Sequence, residues 1–312
     1  MAVPRFAAIE AGGTKFVCAT GTSPADISDL TRIPTTTPAE TVSKVVAYFD
    51  KVKEKSGPLN AIGIASFGPV ELDDSSSRWG SILSTPKPGW SDFNLAAAIS
   101  SALKTPVGFD TDVNGAALAE YRWGAAKGCD VSTYVTVGTG IGGGTVINGR
   151  PIHGLRHPEI GHILPPRHPA DVAFAGVCPF HGACIEGLAS GPAIQERWGM
   201  SLSDMPADHE AHDIIAWYLG HLALVLHAVI SPRRIIFGGG VTDTPGLLDR
   251  MREKVRKMAG GYFGPGDLFD AVITAPSLGD RAGILGAMIL GENAWLNHSQ
   301  KSKSQREGRE RA

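Results

Sequence analysis

The chain has 312 residues, of which 43% are hydrophobic and 19% are charged, and its formal net charge at pH 7 is −2. This composition is typical of a globular protein with enough apolar material for two domains, and it excludes a generally disordered chain. The near-neutral charge argues against a nucleic-acid partner, and the lack of an apolar run of about 18 residues argues against a membrane span.

A glycine-rich turn between two short apolar strands opens the chain. The strands are predicted at Phe6 to Glu10 and at Phe16 to Thr20, and the turn reads Glu10-Ala11-Gly12-Gly13-Thr14-Lys15. Backbone N–H groups in such a hairpin turn can surround a phosphate group. We therefore predict that phosphate is bound by Gly12, Gly13, Thr14 and Lys15, although a single turn of this kind is more often structural.

Helices and strands then alternate along the chain, as in α/β proteins. The spacing of apolar residues predicts helices at 41–53, 92–103 (with Asp92 as N-cap), 114–123, 209–230, 245–258 and 281–296, and strands at 61–65, 107–109, 133–137, 234–237 and 271–274. The segment Thr85-Pro86-Lys87-Pro88-Gly89-Trp90 is not helical, because two prolines and a glycine force an extended or turning path. Its Trp90 either lines a substrate pocket or packs in the core.

Two carboxylates lie where the strand at 107–109 leads into the next helix. Asp110 and Asp112 occupy a strand end, which is where ligands bind in α/β sheets. A sugar hydroxyl is a weak nucleophile, and a carboxylate within hydrogen-bond reach can accept its proton during phosphoryl transfer. Asp112 is closest to the helix start and is the candidate general base. The alternative for either aspartate is an N-cap.

A second glycine-rich turn, Gly138-Thr139-Gly140-Ile141-Gly142-Gly143-Gly144-Thr145, follows the strand at 133–137. Its glycines fit the dinucleotide pattern Gly-x-Gly-x-x-Gly, but that pattern requires a helix to begin there, and Val146-Ile147 favours a strand. We therefore predict phosphate binding by Gly138, Thr139 and Gly140. Two such hairpins, each opening one half of the chain, indicate two similar domains that clamp a nucleotide, as in an ATP-dependent phosphotransferase.

The pattern also predicts the domain organisation. The first domain is expected at 1–113, completed by the C-terminal helix at 281–297, and the larger second domain at 114–280. Polar residues without apolar periodicity predict a disordered tail at 298–312. In the second domain, Gly238 and Gly239 follow a strand and either let adenine or ribose approach the backbone or form an ordinary strand-to-helix turn.

Three metal-ligating side chains lie within one short loop, Cys178-Pro179-Phe180-His181-Gly182-Ala183-Cys184. Thiolates and imidazoles are ligands of tetrahedral zinc, whereas the alternative is a loop of free thiols in a reducing compartment. His162 is the best candidate for the fourth ligand, with His153, His157 and His168 as competitors. Four protein ligands close the coordination sphere, so the predicted zinc is structural and not catalytic.

Two glutamates lie next to these ligands in the sequence. Glu159 shortly precedes His162, and Glu186 closely follows Cys184. If His162 holds zinc, Glu159 is fixed nearby. We therefore predict that Glu159, His162 and Glu186 contact the hydroxyl groups of a sugar. The alternative for each glutamate is a surface charge.

The four cysteines do not form a disulfide framework in a chain of this size. Cys18 and Cys129, which lie outside the metal loop, are expected to be buried thiols. The N-terminus enters a strand after one arginine and does not have the pattern of a signal peptide. A cytoplasmic location is therefore expected.

These residues together resemble the ROK family of bacterial sugar kinases, within the actin-like ATPase superfamily. The first turn is similar to the family's phosphate loop, Asp-x-Gly-Gly-Thr-Lys, and Asp112 to Glu120 is similar to its catalytic-aspartate segment. Gly138 to Gly144 is similar to its second phosphate loop, and Glu159-Ile160-Gly161-His162 is similar to its sugar-and-zinc motif. The resemblance runs from Ala8 to about Leu296. It implies two ribonuclease-H-like α/β domains with an interdomain cleft, and it favours Asp112 as the base over Asp112 as an N-cap.

Departures from the family pattern indicate which branch of the family the chain resembles. Glu10 stands where most of the family has Asp, and Thr111 stands where glucokinase-like members have a sugar-contacting Asn, which weakens a glucose assignment. The usual Cys-x-Cys-Gly-x-x-Gly-Cys is absent. The loop from Cys178 to Cys184, the turn Phe67-Gly68-Pro69 and the segment 85–90 resemble the fructokinase branch instead.

The resemblance implies transfer of the γ-phosphoryl group of ATP to the 6-hydroxyl of D-fructose. Asp112 would be the base, Mg²⁺ would accompany ATP, zinc would be structural, and the chain would form a homodimer. Trp90 is included among the predicted substrate contacts. The alternatives are a mannokinase, a glucokinase, a broader hexokinase, or a non-catalytic sugar sensor on the same fold. Asp112 and the two glycine turns argue against the sensor.

Overall fold

The computed structural model describes residues 4–265 and 267–310. The chain divides into two compact units. The first comprises the chain up to Ala119, the short segment His153–His157 and the chain from Asp280 onward, and the second comprises Glu120–Ile152 and Pro158–Gly279. The first unit thus extends beyond the predicted boundary at 113 and includes a segment that the sequence analysis assigned to the second domain.

The secondary structure follows the predicted alternation. The strands are β1 Phe6–Ala11, β2 Lys15–Gly21, β3 Ser28–Pro34, β4 Ala61–Ser66, β5 Val107–Thr111, β6 Val131–Val137, β7 Ile141–Ile147, β8 Arg150–Pro151, β9 Arg234–Gly238 and β10 Ile273–Thr274. The helices are α1 Pro38–Ser56, α2 Leu95–Leu103, α3 Asp112–Trp123, α4 Ile185–Ala189, α5 Gly191–Trp198, α6 Glu210–Ile230, α7 Leu247–Ala259, α8 Leu268–Val272 and α9 Ala282–Glu310. Asn94, and not the predicted Asp92, caps α2, because its side chain accepts a hydrogen bond from Ala97 N.

Each unit contains a five-stranded mixed sheet, and the two sheets have the same connectivity. The strand orders are β3-β2-β1-β4-β5 and β8-β7-β6-β9-β10. In the first sheet, β1, β2 and β3 are antiparallel neighbours, and β4 and β5 extend the sheet in parallel from β1. In the second sheet, β6, β7 and β8 are antiparallel neighbours, and β9 and β10 extend the sheet in parallel from β6. The α/β class predicted from the sequence is therefore confirmed, and the two glycine hairpins occupy equivalent places in the two sheets.

Helix α9 packs close to the first sheet because glycines remove the side chains between them. A Cβ atom at Gly63 in β4 would lie 1.7 Å from Ala287 O, and one at Gly108 in β5 would lie 2.1 Å from Leu290 O. Any side chain at either strand position would therefore collide with the helix backbone. This helix covers one face of strands β1, β4 and β5.

Helix α9 continues to Glu310, so residues 298–310 are helical in the structure, where the sequence predicts a disordered tail. The polar residues after Leu296 contain no proline, and an established helix gains one hydrogen bond for each residue added. Apolar periodicity stops where packing against a core stops, but its loss does not end a helix. Residues 311 and 312 of the predicted tail lie outside the described residues.

Helix α6 is long and apolar enough to cross a membrane by length and composition alone, a property that the sequence analysis missed. In the structure, 56% of its most apolar stretch is buried. Ile215, Leu219 and Leu222 of this helix belong to the hydrophobic core of the second unit. Its apolarity is therefore accounted for by packing within the unit.

Trp90 lies in the core of the first unit. Its side chain is 0% exposed, and its ring centroid lies 5.4 Å from that of Phe16 and 5.7 Å from that of Phe93. Its indole Nε1 donates to Thr36 O at 2.8 Å, which satisfies its polar atom. The predicted substrate contact of Trp90 is therefore wrong, because no surface of the ring remains for a sugar.

Candidate active site

The first glycine turn joins β1 to β2 and is closed by its own backbone. Gly12 N donates to Lys15 O at 3.0 Å, and a Cβ at Gly12 would lie 2.8 Å from that oxygen, so the position requires glycine. Thr35 braces the turn, because its N–H donates to Thr14 O at 2.9 Å and its hydroxyl donates to Gly12 O at 2.7 Å. A Cβ at Gly13 would meet nothing within 4 Å, so this side of the turn has room for a ligand.

The second glycine turn joins β6 to β7. Gly138 N donates to Gly140 O at 2.9 Å, and Gly138 O accepts from Gly191 N at 2.8 Å. The Glu186 carboxylate accepts a hydrogen bond from Ile141 N at 3.0 Å, and a Cβ at Gly140 would lie 2.8 Å from the same carboxylate oxygen. The glutamate predicted to contact sugar therefore also fixes the second turn, which sequence reasoning did not anticipate.

A cavity of about 320 Å³ lies beside the second turn, within the second unit. Ile194, Leu202 and Val241 provide apolar walls, and Gly138 and Gly240 provide backbone. Apolar walls with a few polar groups are typical of small-molecule pockets.

The glycines predicted to contact adenine or ribose do not line this cavity. A Cβ at Gly238 would lie 2.5 Å from the Tyr134 hydroxyl, and one at Gly239, whose φ is 94°, would lie 2.5 Å from Val137 O. Both positions face the protein interior. Among the residues that line the cavity are instead the next two, Gly240 and Val241.

Asp112 is the first residue of α3 and follows β5 directly. Thr111 caps this helix, because its hydroxyl accepts a hydrogen bond from Asn114 N at 3.1 Å. Asp112 is therefore not needed as the cap, and its Oδ1 accepts from the adjacent Val113 N at 2.8 Å. Burial raises the pKa of Asp112 to about 6, although this hydrogen bond lowers it. Such a carboxylate is ionised at neutral pH and basic enough to accept a proton.

Glu10, in β1, faces the same region of the first unit as Asp112. The pKa of Glu10 is raised to about 7, first by burial and then by the negative charges of Asp112 and Asp280, against the opposing charges of Lys15 and Arg32. Electrostatic repulsion among carboxylates is relieved when a cation binds near them. Oxygen donors of this kind suit Mg²⁺, which usually keeps several of its waters and contacts one or two carboxylates.

Asp110 is buried and serves a different purpose. Its carboxylate accepts a hydrogen bond from Asn114 Nδ2 at 2.7 Å and lies 3.0 Å from His153 Nε2. The bond to Asp110 raises the pKa of His153. His157 makes a second contact between its segment and the rest of the first unit, since its Nε2 accepts a hydrogen bond from Val70 N at 3.1 Å. These two histidines explain why their segment belongs to the first unit.

The predicted zinc ligands lie together in the second unit. The ligand atoms of His162, Cys178, His181 and Cys184 all lie within 4.8 Å of one another. His162 Nδ1 lies 3.7 Å from Cys178 Sγ, 3.6 Å from Cys184 Sγ and 3.3 Å from His181 Nδ1. A zinc tetrahedron with its usual bond lengths has ligand-to-ligand edges of about 3.3 to 3.8 Å. The donor set and its spacing therefore fit zinc.

The competing histidines have other partners. His153 pairs with Asp110, and His157 accepts from Val70 N. His168 Nδ1 accepts from Ala170 N at 3.2 Å, and its Nε2 lies 3.4 Å from Asp213. Of the four candidates for the last position in the cluster, only His162 reaches it among the residues that the structure describes.

Glu159 and His162 belong to one tight turn. A 3₁₀ helix spans Ile160–His162, and His162 N donates to Glu159 O at 3.1 Å. The side chain of Glu159 is exposed, and His162 directs its Nδ1 at the cysteine cluster. The turn therefore couples the position of the glutamate to that of the metal-ligand candidates.

The family model described as the ROK family matches residues 6–294. The chain belongs to the ROK family. This ROK chain is 51% identical over 288 residues to the fructokinase of Zymomonas mobilis, covering 91% of this chain and 95% of that protein. It is 43% identical over 289 residues to the putative fructokinase of Bacillus subtilis, covering 92% and 95%.

A solved ROK structure is similar over nearly the whole chain. The ROK family glucokinase from Streptomyces griseus, in complex with glucose and AMPPNP, matches with a TM-score of 0.72 at 26% identity, covering 93% of this chain and 99% of that one. The family resemblance inferred from the motifs is thus confirmed, as is the fold class.

Several residues that shape the site of this ROK protein were not predicted. Thr35 braces the first turn, and His157 ties its segment to Val70. Both act on backbone that is distant in the sequence, so no local signal marks them. Thr111 was the exception, because a hydroxyl just before a helix is a recognised capping signal.

Proposed function

We propose that this ROK protein transfers the γ-phosphoryl group of ATP to the 6-hydroxyl of D-fructose. The observation that carries the proposal is Asp112, a carboxylate with a pKa of about 6 that is released from helix capping by Thr111. It lies at the carboxyl end of a parallel strand, in the unit that also holds the first glycine turn. The choice of fructose rests on the curated fructokinases at 51% and 43% identity.

In the proposed reaction Asp112 accepts the proton of the attacking hydroxyl. Phosphoryl transfer needs little covalent chemistry from the protein, so positioning and charge stabilisation dominate. The backbone of Gly12, Gly13 and Thr14, with Lys15, would hold phosphate oxygens, and so would Gly138, Thr139 and Gly140. Mg²⁺, held through water by Glu10, would offset the charge of the phosphates.

The sugar would be positioned by Glu159, His162 and Glu186. With Nδ1 of His162 directed at the cluster, its other ring nitrogen is available to a hydroxyl group. A structural Zn²⁺ bound by His162, Cys178, His181 and Cys184 would fix this orientation. The adenine would occupy the cavity beside the second turn, whose walls are largely apolar.

The proposed oligomeric state, cellular location and phosphoryl donor rest on similarity to other members of the ROK family. A homodimer and a cytoplasmic location are part of the proposal, because the motifs of this chain resemble those of ROK sugar kinases. ATP as the donor is supported by the Streptomyces griseus glucokinase, which was solved with glucose and the ATP analogue AMPPNP.

A coupled ADP-release assay tests the proposed substrate. With Mg-ATP, we expect kcat/KM for fructose to exceed that for mannose, glucose and N-acetylmannosamine by at least about tenfold, because hydroxyl pairing in a polar pocket discriminates strongly. Preference for another hexose would keep the mechanism but overturn the assignment of fructose. Folded protein that binds a sugar without turnover would identify a sugar sensor instead.

The pH dependence tests the base. Since the pKa of Asp112 is raised to about 6, its carboxylate form is lost as the pH falls through that value. We expect kcat to fall about tenfold per pH unit below about pH 6, and to level off above about pH 7. Residual turnover of an Asp112→Asn variant should lack this acid limb. A wild-type kcat that stays constant down to pH 5 would contradict the assignment.

A further inference from the structure

We propose that Lys87 is a further catalytic residue, whose ammonium group contacts the phosphates of the nucleotide at the first glycine turn. The proposal rests on the proposed phosphoryl transfer. It assigns a role to the segment Thr85-Pro86-Lys87-Pro88-Gly89-Trp90, whose tryptophan turned out to be part of the core.

The first argument is position. Lys87 Nζ donates a hydrogen bond to Gly13 O, across a large distance in the sequence. Gly13 is the middle of the turn, and a Cβ there would meet nothing within 4 Å. The ammonium therefore lies at the rim of the space where the turn has room for phosphate.

The second argument is charge. The partner of Lys87 in this contact is a neutral carbonyl oxygen, so the contact leaves the positive charge uncompensated. By contrast, Lys44, Lys254 and Lys257 each lie within 4.0 Å of a carboxylate. A cation next to a phosphate-binding turn stabilises the negative charge of the phosphoryl group during its transfer.

The third argument is rigidity. Prolines on both sides of Lys87 fix the backbone φ angles at 86 and 88. Trp90 N donates to Lys87 O at 3.2 Å, and the buried Trp90 ring anchors the far end of the segment. At the near end, Thr85 N donates to Ser91 Oγ at 3.1 Å. A lysine on such a rigid backbone loses less conformational entropy when it binds a ligand.

A structural explanation competes with this one, since Lys87 could simply brace the turn through Gly13 O. Three substitutions separate the two. Lys87→Gln keeps a donor for the carbonyl but removes the charge, Lys87→Met removes both, and Lys87→Arg keeps both. Lys51→Gln, on the exposed face of α1, is the matched control for loss of a lysine charge.

Steady-state kinetics with Mg-ATP and fructose give the test. We expect Lys87→Gln and Lys87→Met each to lower kcat/KM for Mg-ATP about 100-fold, with Lys87→Arg close to wild type and Lys51→Gln unchanged. Calorimetry should show weaker binding of ADP to both uncharged variants and unchanged binding of adenosine. Thermal unfolding of every variant checks that the fold is retained.

Two outcomes would overturn the proposal. Wild-type kinetics for Lys87→Gln together with a loss in Lys87→Met would mean that the residue only braces the turn. ADP binding unchanged in all variants would mean that the ammonium does not reach phosphate. Failure of the proposed function is a separate result, namely no turnover of any hexose by the wild-type protein, and the ADP measurement still decides the contact in that case.

Discussion

Replacing Asp112 with Asn is expected to lower kcat by about 10³- to 10⁴-fold and to leave the fold intact. The amide cannot accept the proton of the attacking hydroxyl, whereas its oxygen can still accept the hydrogen bond from Val113 N that the carboxylate now accepts. The cap of α3 is unaffected, because Thr111 supplies it. Binding of ADP, measured by calorimetry, should change little, which would localise the defect to the chemical step.

The matched control is Asp92→Asn. Asp92 is exposed and has a φ of 62°, a conformation that Asn tolerates well, so this substitution removes an aspartate charge at little structural cost. Its kcat should equal that of the wild type. If Asp112→Asn turned over at a near-wild-type rate, Asp112 would be excluded as the general base.

Replacing Cys184 with Ser is expected to remove zinc and to destabilise the protein at the same time. The Cys184 side chain is 0% exposed, and its sulfur lies 3.6 Å from His162 Nδ1. A serine hydroxyl is a poor zinc ligand, and loss of a structural metal costs on the order of 4 kcal/mol or more of unfolding free energy. Metal analysis by mass spectrometry and thermal unfolding measure the two effects on one sample.

Cys129→Ser is the control for this prediction. Cys129 is also a buried thiol, but it lies outside the cluster, so its variant should keep one zinc per chain. The kinetics of the two variants should also differ. Loss of the cluster in Cys184→Ser frees the turn that holds Glu159 and raises KM for the sugar, whereas Cys129→Ser keeps the cluster. Full zinc occupancy in Cys184→Ser would rule out the zinc assignment.

The sheets could be predicted where apolar runs are continuous. Central strands such as β1 and β4 are almost wholly buried, and their sequences are apolar except for Glu10 in β1 and Ser66 in β4. Strand β3 was missed because it lies at the sheet edge, where exposed residues alternate with more buried ones, and two of the more buried ones, Asp29 and Thr31, are polar. Of the predicted strand at 271–274, the first two residues belong to α8 and the last two form β10, because a short apolar run does not distinguish strand from helix.

The candidate site could be predicted where chemistry demands particular residue types at short spacing. The cysteine and histidine loop and the carboxylate after β5 are of this kind. What sequence could not supply is how distant segments meet, as in the bond from Ile141 N to Glu186 or from Lys87 to Gly13 O. These contacts depend on the tertiary fold, and neither residue of each pair carries a local pattern that points to its partner.

The close packing of α9 against the glycines of the first sheet has a consequence for synthesis on the ribosome. Strands β1 to β5 are made early, yet the helix that covers them follows residues 158–279, which belong to the other unit. The backbone at Gly63 and Gly108 stays uncovered until that helix emerges. During this interval the nascent sheet presents an apolar face to chaperones and to neighbouring chains. The unit translated second is therefore the first to be completed.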